Sequence, residues 1–278
     1  SIYTAMNYCI SIRKLLLLFT LFTAGLTHAQ TIPFQWVSQA DALDASVQAQ
    51  KMTTDSRGNI YLTGYFGNKM LAGGDTLFST VPPYSDIFLI KYDSSGNYLW
   101  SKSYGREDTE YSYGITTDSD DNVYICGVFY SDSIVIDAIT IYKGNNYSTA
   151  FWAKFSSTGQ CLIAQAAGCT QINQGLRVNA LRAIAVDNTG NIFVTGGFEA
   201  DTLCFGNTCV IWQNAVPQTF GSNILVAKFD ATGNCLWIRG ADAANVPGGS
   251  DAGYALAFDQ NNNVFMAGKF AGNRLVFG

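Results

Sequence analysis

The chain has 278 residues, with 16 basic and 21 acidic side chains, a formal charge of −5 and 14% aromatic residues. A mildly acidic chain without a basic run is a poor match for nucleic acid, which demands clustered Lys and Arg. Its one histidine, His28, lies in the leader described next, so Ser-His-Asp and Cys-His catalysis and every His-ligated metal site are excluded from the rest of the sequence, and no cofactor is predicted.

Met6 opens a segment with Arg13 and Lys14, then the apolar run Leu15 to Leu26, then Thr27-His28-Ala29. A charged start, an apolar run too short to span a bilayer and a small-residue site read as a signal peptide cleaved after Ala29, the alternative being a single-span anchor. Residues 1–5 lie upstream of the start. Cys9 precedes the apolar run, so it is not a lipoprotein cysteine. No later segment is long and apolar enough to cross a membrane. Without Arg13 and Lys14 the charge is −7. The mature chain, 30–278, is expected to be secreted or held at the cell surface.

The mature sequence repeats. DSRGNIYLTGYF (Asp55 to Phe66) returns at Asp118 to Phe129, Asp187 to Phe198 and Asp259 to Phe270. A second signal, DIFLIKYDSSGNYLWSKS (Asp86 to Ser103), returns at Ala150 to Gln165 and Asn223 to Arg239. Alternating apolar residues rich in Val, Ile, Phe, Tyr and Trp predict half-buried strands. The Asp-x-x-Gly turns fit hairpins, because Asp bonds the backbone two residues on and Gly takes positive φ. Each unit gives four strands, with a variable stretch between the second and third: Leu71 to Tyr84, Ser133 to Tyr147 and Leu203 to Gln218. A four-stranded antiparallel unit copied along a chain predicts an all-β propeller. PFQWVSQA (Pro33 to Ala40) matches the outermost strand without its partners, as a ring-closing strand would. The chain thus reads as that strand plus about three and a half blades, truncated at its C-terminus, with further blades expected beyond Gly278.

GITTDSDDNVYICGVF and DIFLIKYDSSGNYLWSKSYG, recurring across Gln35 to Phe277, resemble the bacterial β-propeller repeat family known as SBBP, with NHL-type blades a more distant relative. The resemblance implies secreted, surface-associated and often multidomain proteins. Many of these carry a C-terminal sorting domain for type IX secretion, which a truncated chain would lack. The Ala29-Gln30 cleavage site is similar to signals in that group.

Several positions carry both a chemical and a structural reading. Lys91, Lys154 and Lys228 are equivalent: a ring of cations at a channel, or stems packed on apolar neighbours with heads near an Asp. Gly64, Gly127, Gly196 and Gly268 precede repeated phenylalanines and mark bulges or close backbone approach. Trp36, Trp100 and Trp237 share a site where Ile163 stands in the second unit, so a buried apolar role outweighs a sugar platform. Trp152 and Trp212 do not repeat and are the candidate ligand-binding residues, Trp212 within a variable stretch. Asp118, Asp120 and Asp121 form the most acidic turn, a candidate calcium site. Cys204 and Cys209 flank a four-residue turn and are the candidate disulfide; Cys161 with Cys169 is a weaker pair. Asp75-Thr76-Leu77, Asp132-Ser133-Ile134 and Asp201-Thr202-Leu203 resemble O-glycosylation acceptors, or start short strands. DSSGNYLW (Asp93 to Trp100) has the wrong spacing for a sialidase Asp box. Glu107, Glu110 and Glu199 are the only glutamates, and none repeats.

These features predict a non-catalytic binding or display module for an extracellular glycan, cell-wall material or protein. The alternatives are a glycoside hydrolase or lyase with propeller-borne carboxylates, and a structural spacer in a larger adhesin.

Overall fold

A computed structural model describes residues 40–42, 46–143, 147–170, 179–200, 202–211, 222–243, 251–271 and 275–277, with backbone alone for 40–42, 170, 242–243 and 276–277. The chain divides into residues 1–35 and 36–278, and all described residues belong to the second unit. The expected leader, the closing strand at Phe34 to Ser38 and Trp36 lie outside the described residues.

Every regular element among the described residues is a strand. After β1 (Ala40–Ala42) come β2 (Val47–Thr54), β3 (Ile60–Gly67), β4 (Lys69–Ala72), β5 (Asp75–Phe78), β6 (Ser85–Tyr92) and β7 (Tyr98–Tyr104). The second unit runs through β8 (Glu110–Thr117), β9 (Val123–Phe129), β10 (Ser133–Ile136), β11 (Ile139–Tyr142), β12 (Thr149–Phe155) and β13 (Cys161–Ala166). The third follows β14 (Gly168–Thr170) with β15 (Ala180–Val186), β16 (Ile192–Phe198), β17 (Thr202–Phe205), β18 (Thr208–Ile211), β19 (Asn223–Phe229) and β20 (Cys235–Ala243). A fourth opens with β21 (Ala252–Phe258), β22 (Val264–Lys269) and β23 (Leu275–Phe277). Three antiparallel sheets, β2-β3-β6-β7, β8-β9-β12-β13 and β15-β16-β19-β20, are the blades of a β-propeller.

The middle strands are buried on both sides, because each blade packs face to face on the next. Tyr61, Ile87 and Leu89 meet Val123, Ile125, Phe129 and Phe151 between blades one and two. Tyr124, Cys126 and Trp152 meet Leu181, Val194, Leu225 and Phe229 between blades two and three. Burial on both faces explains why VYICGVF and NILVAKF read as nearly unbroken apolar runs. Phe66, Phe129 and Phe198 are buried, each contributing about 1.5–3 kcal/mol.

The variable stretches are more regular than their sequences. Each forms or completes a two-stranded hairpin, β4-β5, β10-β11 or β17-β18. The hairpins also link blades. β14, after the second blade, pairs with β17, and the end of β20 pairs with β23. Between blades one and two, side chains take over: Arg106 donates to Ser133 Oγ, Asp108 N to Ser131 Oγ at 2.9 Å and Asp132 N to Glu107 Oε1 at 3.2 Å.

The Asp turns are built as expected, with one addition. Asp55 Oδ1 accepts the N–H groups of Arg57 and Asn59, and Asn59 Nδ2 closes on Asp55 Oδ2 at 2.8 Å. Asp93–Asn97, Asp118–Asn122, Asp187–Asn191, Asp230–Asn234 and Asp259–Asn263 repeat this clamp. The fourth turn residue has positive φ, usually as Gly; Asp121 (φ 62°) and Asn262 (φ 61°) replace it, two residue types that tolerate that region.

Glu110 has a counterpart in other units, contrary to the reading from residue type alone. Its carboxylate accepts Ser131 Oγ at 2.5 Å and Arg106 N at 3.1 Å. In the third and fourth units Asn179 accepts Glu199 N and Asp251 accepts Ala271 N. Each secures the chain leaving the second strand. Glu110 and its neighbour Asp86 are both sealed from solvent, at 0% and 1% exposure. Burial pushes the Glu110 carboxyl up to about 8, against its hydrogen bonds from Ser131 and Arg106. Burial raises Asp86 likewise, against Thr80.

Two outcomes are expected. A Cβ at Gly127 would overlap Tyr111 O, a backbone atom, so Gly127→Ala should lower stability by about 1–3 kcal/mol in denaturant melts, while Gly74→Ala, in open space, stays within about 0.5 kcal/mol. Glu110 keeps a proton in the folded state that the unfolded chain releases above its ordinary value of 4.5. Stability should therefore fall as pH rises from 4.5 to about 8. Glu110→Gln should flatten that slope in melting temperature against pH; an unchanged slope would assign it to other groups.

Candidate functional site

The innermost strands β2, β8, β15 and β21 are successive neighbours, and Lys51 Nζ of the first reaches Tyr254 O of the fourth at 3.5 Å. They surround a common axis. Each carries a β-bulge, skipping one residue between Ala49 and Lys51, Ser112 and Gly114, Leu181 and Ala183, and Gly253 and Ala255. The repeated glycines make the bulges possible. A Cβ at Gly64, Gly127, Gly196 or Gly268 would overlap the carbonyl oxygen of Gln48, Tyr111, Ala180 or Ala252. The skipped residues are Gln50, Tyr113, Arg182 and Tyr254. The repeating glycine thus positions a residue whose identity varies, Gln, Tyr, Arg and Tyr in turn.

Three of these four residues touch. The Arg182 guanidinium lies 5.1 Å from the Tyr113 ring centroid and 5.5 Å from that of Tyr254, cation–π range on both sides. From Tyr113 a chain of rings runs outward: Tyr111 at 5.9 Å, Tyr65 at 4.3 Å from Tyr111, Tyr130 at 6.2 Å from Tyr111 and Tyr147 at 5.3 Å from Tyr130. Tyr65 OH bonds Gln48 Oε1. Burial pushes the Tyr113 hydroxyl up to about 12, partly opposed by Arg182, and burial also raises Tyr130 to about 12. These phenols are neutral at ordinary pH. Tyr147 and Tyr254 are each 43% exposed, and the exposed Lys51 bonds the Tyr254 carbonyl. The result is an aromatic surface with two cations on an acidic chain. It can stack planar or C–H-rich ligand faces and bond their polar groups.

The residues singled out from sequence fall elsewhere. Trp152 is fully buried against Phe229 at 5.1 Å, on the third strand where both faces are covered. It fills the position held by Leu89 and Val226 in the other blades, so its ring has no surface for a ligand. Trp212 lies outside the described residues. Asp118, Asp120 and Asp121 do not converge. Asp118 is taken up by Asn122, Tyr124 and Lys154, Asp121 turns to Ser56 N and Arg57, and Asp120 points to solvent. Burial pushes the Asp118 carboxyl up, but the bonds from Asn122 and Tyr124 and the Lys154 charge outweigh it and hold it below the usual range. Among the described residues no group of three or more His, Cys, Asp or Glu side chains is arranged to hold a metal.

Cys204 and Cys209 are bonded as a disulfide across β17-β18, with S–S 2.05 Å. Cys161 keeps a buried thiol and is not bridged to Cys169. The lysines take the packed reading. Lys91 bonds Ser157 O of the next blade at 2.9 Å, pairs with Asp55 at 3.7 Å and lies over Tyr61; Lys154 pairs with Asp118 over Tyr124; Lys228 lies over Phe193. Trp100 packs near Gly159, as Ile163 does near Gly233. The three Asp-Ser/Thr-apolar triplets are not equivalent: Thr76 is on the second hairpin strand, Ser133 and Thr202 on the first, and Ser133 is 2% exposed.

The axial residues escaped sequence reading because a bulge residue breaks strand alternation. One signal was available: in EYSYG, ALRAI and AGYAL a bulky polar side chain stands where alternation gives no place for it.

Residues 35–65 match the family model described as Beta-propeller repeat (SBBP). An uncharacterized WD repeat-containing protein of Acanthamoeba polyphaga mimivirus is 23% identical, over 87% of this chain and 19% of that protein. The chain therefore spans about a fifth of that relative's length. The matched repeat and the three four-stranded sheets agree that this chain is built of β-propeller blades.

Proposed function

We propose that the chain is a secreted or cell-surface, non-catalytic β-propeller module that holds an extracellular glycan on the axial tyrosine–arginine surface. The observation that carries this reading is the convergence of Tyr113, Arg182 and Tyr254 from three blades, extended by Tyr111, Tyr65, Tyr130 and Tyr147. Repeated residues are accounted for by turns, bulges and packing. These are not kept from unit to unit, belong to no hydrophobic core cluster and lie partly open. Adjacent aromatic rings suit sugar faces, whose C–H groups stack while hydroxyls bond phenols. The repeat architecture and the WD repeat-containing relative support a binding scaffold. The sequence from Met6 to Ala29 supports export.

Geometry favours binding over hydrolysis. A glycosidase needs two carboxyl groups that meet the substrate on either side of the bond. Among the described residues Asp86 and Glu110 are the coupled buried carboxylates with raised affinity for protons, and both are closed to solvent. The spacer reading gives no reason for a tyrosine–arginine cluster at the axis.

The test is a glycan array probed with the chain recovered from medium or cell surface, its N-terminus read to check for Gln30. Binding to a defined set of glycans is expected, with Tyr113→Ala and Tyr254→Ala each weakening it about tenfold or more, since losing one stacked ring costs roughly 1–2 kcal/mol. A folded chain that binds no glycan, or variants that bind as well as the parent, would remove the reading.

A further inference from the structure

We propose that the axial surface recognises a carboxylate, making its ligand a glycan that bears uronic acid residues. This rests on the glycan reading above. The basis is the state of Arg182. Its guanidinium carbon lies 5.1 Å from the Tyr113 ring centroid and 5.5 Å from that of Tyr254. A cation–π contact engages the charge and uses none of the N–H groups, which lie in a fixed fork.

Among the described residues, no oxygen accepts from that fork. The other arginines described all have a partner: Arg57 pairs with Asp121 at 3.1 Å, Arg106 with Glu107 at 2.8 Å, and Arg239 Nη1 donates to Ile238 O at 3.0 Å. In a chain with 21 acidic side chains, the partly exposed Arg182 differs from these three in leaving its N–H groups open to a ligand. A planar carboxylate matches the fork with two parallel hydrogen bonds, and the two tyrosines hold it in place before the ligand arrives. Lys51 brings a second charge to the same rim, since it bonds the carbonyl of the tyrosine whose ring stacks on Arg182.

The tyrosine chain supplies the other half of recognition. Five rings in series, from Tyr113 through Tyr111 to Tyr65 on one side and Tyr130 and Tyr147 on the other, extend the site beyond one anion. A free anion has no use for that length, whereas successive sugar rings do. Two cations are too few for nucleic acid on a chain of net charge −5.

The experiment is titration calorimetry of the full chain against an oligogalacturonate, its carboxyl-reduced counterpart and a sulfated oligosaccharide of equal length. The oligogalacturonate should bind at least about tenfold tighter than the reduced form, the worth of one charged hydrogen-bonded pair. Arg182→Gln should erase that preference, and Arg182→Lys, which keeps charge without the fork, should retain only part of it. Circular dichroism establishes that each variant is folded, and Arg182→Lys carries the test if Arg182→Gln is not. Equal affinity for the reduced form, a preference that survives Arg182→Gln, or tighter binding of the sulfated sugar would overturn the carboxylate assignment and leave the glycan reading standing. Binding of none of the three, together with a blank array, would remove both.

Discussion

The structure depends on a close approach of two backbones. In each unit a glycine on the second strand lets a carbonyl of the innermost strand come nearer than any side chain would allow. The innermost strand bulges there and turns one residue out of the alternation. Alternation sends side chains to the two faces of a blade, and both faces are covered by neighbouring blades. Only a residue outside that pattern can leave the blade toward the axis. The same contact therefore takes Gln50, Tyr113, Arg182 and Tyr254 out of the alternation, and the last three converge.

At the other end of the strands, blades are joined by repeated polar contacts. The Asp–Asn clamp closes each turn on itself, and in the first two blades its second carboxylate oxygen, on Asp55 and Asp118, also pairs with the lysine of the third strand. Lys91 makes the most of these contacts: its stem is buried, its head lies over Tyr61, it pairs with Asp55, and it donates to a carbonyl of the next blade. A single exposed ion pair is worth little, but this one is almost dry and shares its lysine with the neighbouring blade. The rest of the interface is hydrophobic burial. Rigid walls on both sides hold the bulge residues of adjacent blades at stacking distance.

How far the sequence could be read follows from which contacts are local. The Asp-x-x-Gly turns, the strand order within a blade, the structural role of the lysines and the glycine-marked bulges were legible, because turn chemistry and period-two burial act over a few residues. The Cys204–Cys209 pair was legible for the same reason. The inserted hairpins were hidden by short strands of mixed composition, such as DTLF and ITIY. Trp152 was misjudged because its rarity looked like freedom. Position decides its fate, and that position faces the next blade in every unit. Glu110 was missed as a repeat because Asn179 and Asp251 do its work with different side chains. The axial cluster could not be read at all from one unit, since Arg182 acquires meaning only between tyrosines from the blades on either side of it.

Glycine-driven bulges aim the recognition residues at the axis. The most direct measurement of this is an NMR map of amide and arginine side-chain shifts in the full chain on adding a glycan it binds. The largest changes should fall on Gln50, Tyr113, Arg182 and Tyr254, with the Arg182 Nε–H among them. Changes confined to the perimeter hairpins, with those four residues unmoved, would contradict it.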